Sequence, residues 1–145
     1  MATDILRPVV VLIGWMLVML VWAVATRLPA MAAAGIDLRT LIGSKAADAD
    51  RVLPPGAQWK AHNYNHLHEQ PTLFYAVCLV LSFIGAGHDV NVTIAWIYVG
   101  LRVAHSLEQA IVNRVAVRFA LFILSSLALT ALTLHAGMVL FGEPL

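Results

Sequence analysis

The chain has 145 residues, of which 61% are hydrophobic and 12% charged, against about 25% charged in an ordinary soluble domain. That imbalance indicates a membrane protein with room for one domain, spanning residues 1–145. A net charge of +1, with basic residues scattered rather than striped, excludes nucleic-acid binding, and the single cysteine, Cys78, excludes an intrachain disulfide.

Between Arg7 and Arg27 the run PVVVLIGWMLVMLVWAVAT carries no charge and approaches the roughly 20 residues that cross a hydrocarbon core, so it is the first predicted span. A signal peptide is the competing reading, because small residues come after it in PAMAAAG. The run is long for a signal core, and the rest of the chain offers no soluble domain to export. From about Leu28 to Gln58 the chain is a polar connection containing Arg39, Ser44, Lys45, Asp50, Arg51 and the pair Pro54 and Pro55, with room for a short interfacial helix. The second span, Pro71 to Gly87, is short alone and becomes ample if the polar turns from about Trp59 continue into it as one helix. The third, Val90 to Leu101, must likewise continue through RVAHSLEQAIV. The fourth, Phe119 to Gly142, has no Asp, Glu, Lys or Arg and carries only His135 as a possible charge. Tight turns, GAGHDVN and VNRVAV, join the last three, and the predicted fold is an all-α four-transmembrane-helix bundle.

Charge bias sets the expected orientation. Arg39, Lys45 and Arg51 lie in the first connection, with Arg27 and Lys60 at its edges, and Arg114 and Arg118 lie in the third. The second connection and the tail GEPL have no Lys or Arg. The positive-inside rule then puts the first and third connections in the cytoplasm and both termini outside it, with Arg7 dissenting. The polar turns at Trp59 to Gln70 and at Arg102 to Asn113 thereby meet at one membrane surface.

On one continuous second helix His62, Asn65, His66 and Glu69 fall at i, i+3, i+4 and i+7 and share a stripe, with His68 pointing elsewhere and Asn63 and Tyr64 serving only as interface residues. On the third, Tyr98, Arg102, His105 and Gln109 share another. A carboxylate facing lipid is costly, so Glu69 is expected to face a helix or a wet cleft, with Arg102 or Arg118 as its counter-ion and Pro71 bending the helix beside it. A packing salt bridge that fixes register is the plainer reading of that pair. His62, His66, Glu69 and His105 also resemble metal ligands in type, but Gln70 and Pro71 come directly after the HE pair where an H-E-x-x-H motif would need a second histidine, and no metal is expected.

The segments EQPTLFY, beginning at Glu69, and RVAHSLEQAIVNRVAVRF, beginning at Arg102, together with four short-looped spans and a long first connection, resemble the membrane-associated proteins in eicosanoid and glutathione metabolism, the MAPEG family. The resemblance covers essentially the whole chain. It implies a homotrimer of four-helix bundles, glutathione bound in a cytoplasm-facing cleft between subunits, and an apolar electrophile arriving from the membrane lipids; a bacterial inner membrane is the expected location. By matching position, Arg118 falls on the arginine that stabilises the glutathione thiolate, and Glu69, Arg102 and His105 fall on residues that bind the tripeptide, with Arg51 and Lys60 candidates for its carboxylates. Three cradle positions depart from the pattern. Asn65 stands where glutathione-using members have an arginine, His66 where they have an asparagine, and Gln109 where they have a tyrosine. The alternative is a non-catalytic lipid-binding or scaffold member of the same family. A channel has less support, because no polar stripe continues across the bilayer midplane.

Overall fold

The computed structural model describes residues 2–43 and 46–142, so Ser44, Lys45 and residues 143–145 of the tail lie outside the described residues. Among the described residues six helices succeed one another: α1 (Leu6–Ala33), α2 (Ala46–Ala49), α3 (Pro55–His66), α4 (Gln70–Phe83), α5 (Asp89–Ile111) and α6 (Val115–Phe141). There is no strand among the described residues.

Three helices, α1, α5 and α6, are long and apolar enough to cross a membrane. Helix α1 runs past Arg27 to Ala33, farther than the charge-free run suggests, because the added residues are mostly Ala, Leu and Met, all good helix formers. Pro29 lies near its end, where only one ladder bond is lost. Helix α6 begins one turn earlier than expected and so carries Arg118 in its first turns.

The expected continuous second helix is two helices. The chain leaves α3 at His66 and re-enters helix at Gln70, with Glu69 at φ −83°, ψ −96°, outside the α region. Pro71 supplies the reason: its ring has no N–H to donate to the Leu67 carbonyl and collides with that carbonyl in an unbroken helix. The final turn tightens instead, with His68 N–H donating to the Asn65 carbonyl (3.0 Å) and Glu69 N–H to the His66 carbonyl (3.3 Å). Across the break, the Thr72 hydroxyl donates to the Glu69 carbonyl at 2.6 Å. Helix α4 alone has 14 residues, about 21 Å of rise, short of the roughly 30 Å hydrocarbon core.

The helices pack in two layers. An apolar core of Ile5, Leu12, Phe74, Cys78, Leu81, Tyr98 and Leu132 joins α1, α4, α5 and α6, with Phe74 and Tyr98 stacked at 4.2 Å between ring centroids. Nearer the α3 end, polar ties accompany a smaller apolar cluster of Met19, Leu67 and Ala110. Trp15 Nε1–H donates to Ser106 Oγ at 3.0 Å, and Asn63 Nδ2 donates to the same hydroxyl at 2.5 Å and to the Ser106 carbonyl at 3.0 Å. Below the break, Gln70 Nε2 donates to Ser126 Oγ (2.7 Å), and its Oε1 accepts from Ser125 (3.3 Å) and Tyr98 (3.4 Å), so one amide binds α4 to α5 and α6. The outer faces carry exposed Leu17, Val18 and Val21 on α1 and Leu127 and Leu134 on α6, as lipid contact requires.

Far from the α3 end, Ala2 N–H donates to the Ser82 carbonyl and Ile5 N–H to the Gly87 carbonyl. Gly87 is required there, since a Cβ would lie 2.6 Å from the Ala2 carbonyl oxygen and 2.7 Å from Ile5 Cγ2.

Asn63 is fully buried, and its loss removes both hydrogen bonds from α3 to Ser106, leaving only that from Trp15. Asn63→Ala is expected to cost about 1–3 kcal/mol, read as a lower midpoint of thermal unfolding in mild detergent, whereas Thr26→Val, which removes a hydroxyl bonded only to carbonyls of its own helix, leaves the midpoint nearly unchanged.

Candidate functional site

The end of α3, the break at residues 67–69, the C-terminal half of α5 and the first turns of α6 converge on a pocket of about 250 Å³ lined by His66, His105, Val115, Arg118, Phe119 and Phe122. Its polar wall comes from α3 and α5 and its apolar wall from α6. The His66 and His105 rings lie 5.1 Å apart at 40°, and Phe122 lies 6.1 Å from His66 at 34°. Three rings thus form one side of the pocket, with a guanidinium on another.

Helix α5 delivers its stripe as its uninterrupted 3.6-residue period dictates: Tyr98, Arg102, His105 and Gln109 are all buried. Arg102 is 0% exposed and sits behind the pocket rather than in its wall. Its Nη2 donates at 3.4 Å to the His66 carbonyl, which also accepts from Glu69 N–H in the tightened last turn. Its Nε and Nη1 are buried without a partner, as is Gln109 Oε1. Such orphaned groups are expensive in a closed interior, and water or a polar ligand satisfies them cheaply.

The second-helix stripe is not one stripe. The break rotates the chain beyond it, so Glu69 leaves the face expected for it and is 68% exposed at its side chain. Its carboxylate pairs with His66 rather than with Arg102 or Arg118: His66 Nδ1 and Glu69 Oε2 are 2.7 Å apart. His62 turns to Asp50 of the first connection at 2.9 Å, and His68 Nδ1 donates to the Tyr64 carbonyl. Asn65 faces away, into a second pocket of about 270 Å³ between α1 and α3, beside Arg27 and Tyr64 and walled by Leu20, Val24 and Met31. Arg51 is exposed in the first connection, and Lys60 donates to the Gly56 carbonyl at 2.7 Å while lying 5.6 Å over the Trp22 ring. The structure therefore brings His66, His105 and Arg118 to one pocket, puts Arg102 behind it, and leaves Asn65 and Arg51 outside it.

Arg118 is held by a residue that sequence reasoning passed over. Asn113, in the α5–α6 turn, adopts φ 64° and accepts a hydrogen bond from Arg118 Nη1 through its side-chain oxygen. The turn is fixed from α5, with Asn113 N–H donating to the Glu108 carbonyl (2.6 Å) and Arg114 N–H to the Glu108 carboxylate (3.1 Å). A cation in the first turns of a helix opposes the macrodipole, so Arg118 needs such an acceptor. The legible signal was an asparagine just past a helix end, the residue that tolerates the left-handed conformation best after glycine. For Asn63, buried on α3, there was no signal beyond its position.

Compared with known families, residues 5–138 match the model of the MAPEG family. The chain belongs to the MAPEG family. No curated protein and no solved structure matches it. The matched range of this MAPEG chain takes in every residue that lines the pocket.

The two roles of Asn113 separate by substitution. Asn113→Gly keeps the backbone and is expected to unfold within about 1 kcal/mol of the parent, while Asn113→Val, β-branched at positive φ, lowers the melting midpoint markedly. Thermal unfolding followed by circular dichroism distinguishes them.

Proposed function

We propose that this MAPEG protein is a glutathione-dependent membrane transferase or peroxidase-like enzyme acting on apolar electrophiles. The observation that carries the reading is Arg118, a guanidinium anchored by Asn113 in the wall of a pocket otherwise made of two imidazoles and apolar groups. A thiol of ordinary pKa about 8.5 is mostly protonated at neutral pH, and a fixed cation beside it raises the thiolate fraction and hence the nucleophile concentration.

The residues present suit a tripeptide thiol. Arg118 holds the sulfur, with its Nε buried and unpartnered. The unpartnered groups of Arg102 and Gln109 lie behind His66 and His105, where they take polar atoms of the peptide directly or through water. The exposed Glu69 carboxylate stands beside the pocket mouth, where an ammonium group would dock. Val115 and Phe119, both exposed, and Phe122 make the apolar wall, which suits an apolar electrophile arriving from the membrane. In this reading α3 and α4 together make the fourth crossing, the pocket faces the cytoplasm with both termini outside, and a neighbouring subunit of a homotrimer closes it. Asn65 and Arg51, which lie away from the pocket of their own chain, serve the cradle of that neighbour.

A second reading is a lipid-binding member without catalysis. The pocket between α1 and α3 favours it, having apolar walls and Arg27, Tyr64 and Asn65 at its polar end.

Titration of the purified protein in lipid nanodiscs with glutathione, followed by ultraviolet thiolate absorbance at neutral pH, tests the first reading. Thiolate is expected to appear, and Arg118→Leu to reduce it about tenfold or more, one pKa unit of stabilisation. No binding at millimolar glutathione, with a retained acyl chain seen by native mass spectrometry, would instead establish the second.

A further inference from the structure

We infer that His66, oriented by Glu69, is the general base that takes the proton from the bound thiol. The inference rests on the thiol-binding reading above and goes beyond it, because glutathione-using relatives, as the resemblance describes them, carry an asparagine at this position and have no proton acceptor there.

The geometry has three parts. First, the His66 and Glu69 side chains meet at 2.7 Å across the helix break. An ionised carboxylate only accepts, so Nδ1 of the imidazole is the donor and carries the proton. That fixes the tautomer and leaves Nε2 with its lone pair free, the arrangement in which a carboxylate orients a catalytic histidine. Second, the ring borders the pocket that Arg118 lines, and among the described residues nothing else hydrogen-bonds to its nitrogens. Third, the His105 and Phe122 rings neighbour it at 5.1 and 6.1 Å between centroids, so the imidazole borders both the polar and the apolar lining of the pocket.

The groups facing His66 are Glu69 from the break, Arg102 and His105 from α5, and Arg118 from α6. The two guanidiniums alone would oppose a third cation. Glu69 offsets one of them, and the thiolate formed in the same step offsets the other. His105 is 3% exposed and has no carboxylate partner among the described residues, so it lacks the group that would stabilise it as an imidazolium.

The step balances within the pocket. The S–H bond breaks, its proton bonds to Nε2, and the electron pair stays on sulfur beside Arg118. When that pair forms the S–C bond to an electrophile, the leaving group departs with its own bonding pair and takes the proton from Nε2. His66 is thereby neutral again. In this step Glu69 is a positioning residue, acting on the proton through the imidazole.

Proton bookkeeping distinguishes this from stabilisation by Arg118 alone. Glutathione is titrated calorimetrically into the full-length protein in nanodiscs, in buffers of different ionisation enthalpy, at a pH about one unit above the ordinary imidazole value of about 6.5, with thiolate absorbance read in parallel. Thiolate is expected to form with almost no proton released to the buffer, because the proton stays on His66. In His66→Asn, thiolate yield should fall, each thiolate that forms should release one proton, and kcat for conjugation should drop about 100-fold with KM little changed. Glu69→Gln should shift proton release in the same direction by a smaller amount. One proton released per thiolate in the unsubstituted protein overturns the role of His66 while leaving the thiol-binding reading intact. Absence of glutathione binding overturns both. The unsubstituted protein decides the question by itself, so a variant that fails to fold does not weaken the test.

Discussion

Pro71 is the constraint on which the polar end of the molecule depends. A helix running unbroken from Trp59 to Phe83 would bury its own carbonyls in ladder bonds and present one face. The proline forbids that ladder at its fourth preceding residue, and the chain answers with a three-residue break. At the break the His66 carbonyl accepts from Arg102 as well as from Glu69 N–H, Glu69 turns off the expected face and toward His66, and α4 starts at Gln70. Gln70 then lies deep enough to bond Ser125, Ser126 and Tyr98. A backbone irregularity inside a packed bundle is tolerated where protein or water satisfies it, and the buried Arg102 supplies one of the donors.

Two chemical environments result, separated by about one helical turn. The α5 stripe passes from Tyr98, stacked on Phe74 in the apolar core, to Arg102 and His105 behind and beside the pocket. Between them the Gln70 amide and the two α6 serines make a polar floor. The pocket is therefore a wet indentation on a dry bundle. Its cation is held by an asparagine whose backbone conformation few other residues adopt without strain.

Much of this was readable from the residues alone, for identifiable reasons. The α5 face was legible because nothing interrupts its period for 23 residues. The apolar runs marked α1 and α6, with ends displaced by a turn or more because alanine, leucine and valine continue a helix past any charge boundary. The second-helix face was misread because helical spacing was carried across Pro71's break, which displaces Glu69 from the line of His62 and Asn65. Proline as a bend was visible; the rotation it imposes was not, since that depends on which carbonyls find new donors. Asn63 and Asn113 went unrecognised because short polar residues acquire meaning from partners distant in sequence, here Ser106, or from a dihedral angle. The residues around the pocket were the easiest to find and the hardest to interpret, for position alone does not reveal that the His66 ring meets the Glu69 carboxylate across the break.

The seam between residues 2–5 and the α4–α5 turn divides the bundle mechanically. At that end, main-chain bonds to Ser82 and Gly87 lock α1 to the turn, with a glycine allowing backbone to touch backbone. At the other end α1, α3 and α5 are joined by side chains, Trp15 and Asn63 to Ser106, and Arg102 to the carbonyl at the break. Side-chain ties exchange with water more readily than packed main chain, and sub-global opening tracks the weaker connections. The two ends of the bundle are thus held by different kinds of bond, and the pocket end, tied through side chains, is the end at which a polar solute competes for the same donors.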